Sequence, residues 1–173
     1  MKNNSINFKQ ILTISFISIS LIFTNCEPKL YKIYKDENGE PILNENSKYT
    51  FNYILTDFDS KKIDTTANYI QIFQNKYELS DPNPMIIKFH NDGYFKTQSL
   101  KYYGKFDAKR KKNSVYYGGK YKISGNIIET ERFLPGSPIT RNTFHKSIKI
   151  GEIMGDTIKF KYKNYSDIYV KQK

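Results

Sequence analysis

The chain has 173 residues, of which 38% are hydrophobic and 16% aromatic, and a formal net charge of +11. This length suits one domain with a substantial core. The charge alone would suit a nucleic-acid-binding protein, but only three of the 28 basic residues are Arg (Arg110, Arg132 and Arg141). Because phosphate and base recognition favours the Arg fork, the composition argues against nucleic acid and favours anionic lipid or glycan as a charged partner.

The first 25 residues have the three zones of a secretory signal peptide. Lys2 and Lys9 give a basic start, residues 11–23 form an uncharged apolar run, and no acidic residue precedes Glu27. The run is shorter than the about 20 apolar residues that a transmembrane helix needs. We therefore predict that residues 1–25 are a cleaved signal peptide, with an uncleaved anchor as the alternative. Cleavage removes Lys2 and Lys9, which lowers the net charge from +11 to +9.

Cys26 is the only cysteine and directly follows this segment. A lone cysteine cannot form an internal disulfide. The stretch Leu21-Ile22-Phe23-Thr24-Asn25-Cys26 resembles a bacterial lipobox. The resemblance implies that the signal is cut before Cys26 and that this residue carries lipid, palmitate included. It further implies that the lipid holds the chain to the outer membrane of a Gram-negative bacterium, on either its periplasmic or its surface side. An unmodified thiol is the alternative.

Residues 26–48 are polar and turn-rich, with Asn38-Gly39-Glu40-Pro41 at their centre. We predict a lipidated N-terminus and tether here, with a short strand over residues 30–34 as the alternative. Residues 49–173 are predicted to form a single β domain, because Tyr and Phe favour strands and helix-forming Ala is nearly absent. Alternating apolar residues predict a first strand over residues 49–56. Residues 64–79 fit a helix or a strand, and strand is preferred.

Three glycine turns organise the second half of the chain. Apolar, alternating segments flank residues 91–93, 124–126 and 154–156, as in β-hairpins. Residues 167–171 are predicted to form a closing strand. Successive hairpins predict an all-β, antiparallel up-and-down meander that closes into a small barrel, since closure removes exposed edges. A two-sheet β-sandwich is the alternative.

The same hairpins, over Ile87–Tyr94, Gly119–Glu129 and Gly151–Ile158, are similar to those of small bacterial lipocalin-like lipoproteins. The similarity covers residues 85–171. It implies a lipocalin-like antiparallel barrel, a non-enzymatic role and a location in the cell envelope.

No residue pattern predicts a catalytic site, a metal or a cofactor. His90 and His145 are the only histidines, and strand phase places both, together with Lys149, towards solvent, whereas zinc needs three or four ligands. Glu129 and Glu131 share one strand face. Salt bridges to Arg132 and nearby lysines account for them most simply.

The densest charged run is Lys109-Arg110-Lys111-Lys112. It predicts either contact with an anionic surface or a solvated loop tip. Two functions follow from the whole chain. In one, a non-enzymatic barrel binds a hydrophobic small molecule or an envelope partner and contains a cavity lined by Tyr, Phe and Ile. In the other, a solid-cored module acts through the basic, Tyr-rich loop 101–117. The interior volume distinguishes them.

Overall fold

The computed structural model describes residues 29–73, 83–105, 110–136 and 142–172. Within these ranges the regular structure is nearly all strand, with one short helix, α1 (Asp57–Ser60). The strands are β1 (Leu30–Lys32), β2 (Tyr34–Lys35), β3 (Pro41–Ile42), β4 (Asn68–Ile72), β5 (Met85–Phe89), β6 (Tyr94–Ser99), β7 (Gly118–Ser124), β8 (Ile127–Pro135), β9 (Thr143–Met154), β10 (Thr157–Lys161) and β11 (Ser166–Gln172). No helix in the described part of the chain has the length and apolarity to cross a bilayer.

Strands β4 to β11 form a closed antiparallel barrel. Each pairs with the next along the chain, and β11 pairs back with β4. The predicted up-and-down meander and its closure are confirmed, and the sandwich alternative is excluded. Strand β1 is an additional strand, paired with the first residues of β9 outside the ring.

The barrel closes because side chains alternate along each strand. Phe89, Phe95, Tyr121, Ile128 and Phe160 point to the interior, where each is at most 2% exposed. The three predicted hairpins are confirmed, with tight turns between β5 and β6, β7 and β8, and β9 and β10.

The two ends of the barrel differ. The three tight turns lie at one end, where residues 53–63 cover the barrel and Ile63, 1% exposed, packs among the core side chains with Tyr53 and Leu55. We call this the plugged end. The last residues of β4, β8 and β10 and the first residues of β5, β9 and β11 lie at the other, which we call the loop end.

Residues 49–56 do not form the predicted strand. Residues 49–52 form an outer-wall segment on the barrel, where the buried Glu131 carboxylate accepts hydrogen bonds from the backbone amides of Thr50 and Phe51, and residues 53–56 belong to the plugged end. A side chain rather than a neighbouring strand satisfies this backbone, so no ladder forms.

Residues 30–48 are also part of the folded body. Strand β1 pairs with β9, and Ile33 is fully buried against Val115, Phe133 and Phe144. The structured body therefore includes residues 30–48, for which the sequence predicted a tether. The alternative prediction, a short strand over residues 30–34, agrees with β1 and β2. Strand β4 confirms strand for residues 68–72, while residues 74–79 lie outside the described ranges.

Gly93 fixes the outer-wall segment to the plugged end. Its φ is +76°, and a Cβ built on it would lie 1.9 Å from the Tyr53 carbonyl oxygen. Gly155 has a φ of +60° and open space around it. We expect Gly155→Ala to cost about 1–2 kcal/mol through backbone conformation and Gly93→Ala clearly more, measured by urea unfolding. Equal losses would show that the contact with Tyr53 is unimportant.

Candidate functional site

A cavity of about 120 Å³ lies inside the half of the barrel nearest the loop end. Seven strands contribute its walls through their inward-facing side chains. The polar ones are Gln71, Thr97, Thr130, Arg132, Lys149, Asp167 and Tyr169, and the apolar ones are Met85, Ile87, Phe95 and Phe160.

The rest of the interior is filled by aromatic and aliphatic side chains. Phe89 packs edge-on against Tyr121 and Tyr69, with ring centroids 4.9 and 5.6 Å apart. The predicted cavity lined by Tyr, Phe and Ile is therefore found only in part: Ile87, Phe95, Phe160 and Tyr169 line it, but polar and charged side chains share its walls. The space that remains is partly polar and smaller than the roughly 300–1,000 Å³ of typical small-molecule pockets, so it accommodates a polar head group rather than a long apolar chain.

Arg132 is the least expected residue of this cavity. It follows Ile128 and Thr130 on the inward face of β8, and its Nε is buried without a hydrogen-bond partner among the described residues. Burial lowers the pKa of Arg132, and nearby Tyr49, Tyr169 and Tyr162 oppose that shift. An arginine nevertheless stays protonated, so a positive charge stands in the cavity wall.

Lys149 and Asp167 form a polar pair beside it. The Asp167 carboxylate accepts hydrogen bonds from Gln71 Nε2 at 3.2 Å and from the Tyr162 hydroxyl at 2.8 Å. Lys149 Nζ lies 3.7 Å from Asp167 Oδ2. Burial lowers the pKa of Lys149 and Arg132 lowers it further, while Asp167 raises it.

The lining therefore carries more positive than negative charge. Arg132 and Lys149 are cations and Asp167 is the one acidic lining residue, already engaged by Gln71 and Tyr162. A buried donor such as Arg132 Nε is costly to leave without an acceptor, and guanidinium binds oxyanions through paired, charge-assisted hydrogen bonds. Chemically, the cavity is suited to receive a carboxylate or phosphate oxygen.

Comparison with protein-family models, with curated proteins and with solved structures finds no match to this chain. The geometry of its own residues has to carry the functional argument.

A larger cleft of about 710 Å³ lies at the plugged end, between residues 60–65 and the turn from β9 to β10. Two of its cations are already paired. Lys62 Nζ lies 3.0 Å from Asp59 Oδ1, and Lys171 Nζ lies 2.5 Å from Asp156 Oδ1. This cleft is a surface groove with compensated charges and is a weaker candidate.

The predicted site residues fall in several places. Cys26 and Lys109 lie outside the described residues. Arg110 Nε lies 2.8 Å from Glu40 Oε1, and Lys112 is paired with Asp92. Lys111 is exposed. Two charges of the predicted basic run are thus used within the protein, so the run is not a cluster of freely available cations.

The histidines are apart and only partly match their predicted exposure. His90 is half-buried, with Nε2 2.9 Å from the Tyr117 hydroxyl, and burial, with Lys112, lowers its pKa. His145 lies on the β9 segment that pairs with β1. Among the described residues no group of three or more His, Cys, Asp or Glu side chains could hold a metal.

One expectation for charged residues was wrong, and another was confirmed in part. Lys149 faces the cavity instead of solvent, and its neighbours Ile148 and Ile150 are on the outer face, 51% and 59% exposed. Glu129 and Glu131 form the expected salt bridges with lysines, Lys122 and Lys146, but Glu131 does not pair with Arg132, since neighbouring residues of a strand point to opposite faces. The sequence did contain a signal that Arg132 faces inwards. It follows Ile128 and Thr130 at intervals of two residues, which places all three side chains on the same face of β8.

Proposed function

We propose that this chain is a bacterial envelope lipoprotein, anchored through lipid on Cys26, whose barrel non-enzymatically binds a small amphipathic molecule with an oxyanion head group. The observation that carries the binding proposal is the buried Arg132 Nε without a hydrogen-bond partner, in a partly open cavity whose lining carries excess positive charge. The plug at the opposite end favours entry from the loop end. The cavity volume suits the head group, with the apolar part of the ligand extending towards the loop end.

The head group is tested by comparing octanoate, octyl phosphate and octanol in calorimetric titrations of the purified protein. The two anions distinguish a carboxylate from a phosphate ligand, and the alcohol keeps the chain but removes the charge. Because a hydrogen bond to a charged group contributes about 1.5–3 kcal/mol, we expect the better anion to bind roughly 10- to 100-fold more tightly than octanol. Equal affinity for all three would contradict an oxyanion site.

Replacing Arg132 separates a binding role from a structural one. Arg132→Met removes a charged group whose buried Nε has no hydrogen-bond partner and keeps much of the side-chain volume, so we expect a folded protein that is at least as stable as the parent. We expect anion affinity to fall roughly 10- to 100-fold. Thermal unfolding and calorimetry report the two effects.

Lys149→Met should weaken anion binding as well, though less, because Asp167 already shares its charge. Lys161→Met is the matched control, since the Lys161 side chain is 66% exposed on the outer face next to the loop end. Loss of stability without loss of affinity in Arg132→Met would identify Arg132 as a structural residue and refute the proposed site.

A further inference from the structure

One half of the outer wall of the barrel buries its apolar side chains. Ile86 of β5 and Phe133 of β8 alternate with inward-facing residues and so point outwards. They are nevertheless only 2% and 1% exposed. Over Phe133 pack Ile33, from the N-terminal segment, and Val115, from the loop before β7. Segments outside the barrel thus shield the outward apolar residues of this half.

Strands β9, β10, β11 and β4 form the other half, and their outward aliphatic side chains are much more accessible. Ile148, Ile150 and Ile72 are 51%, 59% and 47% exposed. We call this surface the bare wall, and its aliphatic side chains are Ile70, Ile72, Ile148, Ile150, Ile168 and Val170. The face of an antiparallel sheet that meets water is normally polar, so exposed aliphatic residues there indicate an interaction surface.

The charges of the bare wall favour an anionic partner. Lys159 and Lys161 of β10 stand between the aliphatic residues of β9 and those of β11. Within the described strands β9, β10, β11 and β4, Glu152 is the one acidic residue that points outwards, and its carboxylate lies 3.6 Å from Lys161 Nζ. On the adjoining β8, Glu129 and Glu131 are also paired with lysines. Lys159 therefore gives the bare wall an excess positive charge, which anionic lipid attracts.

The chain that leads to Cys26 starts towards the bare wall. Leu30 of β1 stands opposite His145 of β9, and the two strands are antiparallel. The chain before Leu30 therefore sets out along β9 in the direction of Ile148, which is three residues, or about 10 Å, beyond His145. Cys26 precedes Leu30 by four residues, which span at most about 14 Å. A lipid on Cys26 is thus within reach of the bare wall.

A bilayer suits these features better than a second copy of the chain. In a dimer with twofold symmetry the same surface of both copies meets, so two positively charged walls would face each other. An anionic bilayer instead accepts both the aliphatic and the lysine side chains. Because the anchor already concentrates the barrel at the membrane, weak contacts suffice to orient it.

We propose that the bare wall lies against the bilayer that carries the anchor, with the barrel axis along the membrane plane. The proposal rests on the proposed anchoring through Cys26. It turns the covered half of the barrel, with residues 30–51 and the loop before β7, away from the lipid and towards the aqueous compartment.

The test uses the protein purified from membranes of a bacterium that expresses it and reconstituted in phosphatidylglycerol–phosphatidylcholine vesicles. An environment-sensitive dye is attached through p-acetylphenylalanine introduced in place of Ile150, on the bare wall, or of Tyr116. Tyr116 is the matched control because it is 46% exposed and lies on the other half of the barrel, next to Tyr117, which accepts a hydrogen bond from Thr97 of β6. Lipids with brominated acyl chains quench dyes near the bilayer. We expect loss of fluorescence at position 150 and little change at position 116.

Equal quenching at both positions, stronger quenching at position 116, or none at either would overturn the proposed orientation. Sedimentation of the labelled Cys26→Ser chain without vesicles tests the other occupant. A dimer that shields the dye at position 150 would assign the bare wall to a second copy and also overturn the proposal.

The mass of the purified chain keeps this result separate from the anchoring proposal. If Cys26 carries no lipid, anchoring has failed. The two labels are then compared with the Cys26 thiol coupled to a maleimide lipid, which supplies an anchor at the same residue and still decides which half of the barrel faces the bilayer.

Discussion

Replacing Glu131 with alanine is expected to lower the free energy of unfolding by about 3–5 kcal/mol, the usual cost of removing one partner of a buried ion pair. Glu131 is fully buried and its carboxylate lies 2.8 Å from Lys146 Nζ. It also accepts hydrogen bonds from the Thr50 and Phe51 amides at 2.7 and 2.9 Å. Truncation leaves all these donors without their acceptor and releases the outer-wall segment that leads to the plug.

Glu129→Ala is the matched control, on the same strand face two residues away. Its carboxylate pairs with Lys122 at 3.0 Å, but both side chains are partly exposed, so we expect a loss of only about 0.2–1 kcal/mol. Urea unfolding of both variants measures the difference. Similar losses would mean that Glu131 does not hold the outer-wall segment.

The stability that Glu131 contributes should depend on pH. Burial by itself raises the pKa of Glu131, but hydrogen bonds from Lys146, Phe51 and Thr50 outweigh burial and hold the pKa below its usual value. A depressed carboxyl pKa stabilises the fold above the unfolded-state value of about 4.3. This stability is lost as the pH falls through the folded-state pKa.

Glu131→Gln removes this titration while preserving side-chain size. We therefore expect the stability difference between the parent and Glu131→Gln to be largest near neutral pH and to shrink below pH about 4.3. Urea unfolding at several pH values measures it. A difference that is constant down to strongly acidic pH would contradict a depressed pKa for Glu131.

Cys26→Ser is expected to abolish the incorporation of labelled fatty acid into the chain. The variant keeps the apolar run of residues 11–23 but removes the sulfur atom that the proposed thioether needs. Each buried CH₂ contributes about 0.8 kcal/mol to membrane binding, so two or more acyl chains hold a protein firmly, whereas one acyl chain binds only reversibly.

Asn25→Gly is the control for a change next to the cysteine. The lipobox resemblance favours a small residue at this position, so labelling should persist or increase. Gel fluorescence of chains from cells fed an alkyne-bearing fatty acid reports both variants. Labelling of Cys26→Ser at the parental level would place the lipid on another residue or on none.

Local patterns predicted much of the fold. The turns at Gly93, Gly125 and Gly155 require positive φ, which glycine supplies without strain, and their flanking strands alternate. Closure of the barrel, through pairing of β11 with β4, could be predicted because an open meander would leave two edge strands unpaired. These features depend on residues close in sequence or on a general rule for sheets.

Long-range contacts account for what the sequence did not predict. Residues 49–56 alternate like a strand, yet the backbone amides of Thr50 and Phe51 donate to the Glu131 side chain, 81 residues away from Thr50. In β9 the apolar Ile148 and Ile150 would be predicted to face the core, although both are exposed. Only the closed barrel shows that Lys149, between them, points inwards. The charged cavity arises from seven strands together, so no local pattern contains it.

The proposed anchoring of this barrel requires covalent lipid at one sulfur atom, and intact-mass analysis with fragmentation of the chain purified from the membranes of a bacterium that expresses it tests this most directly. We predict a chain that begins at Cys26 and has the added mass of a thioether-linked diacylglycerol on that residue. A chain that retains residues 1–25 with a free thiol at Cys26 would contradict the account.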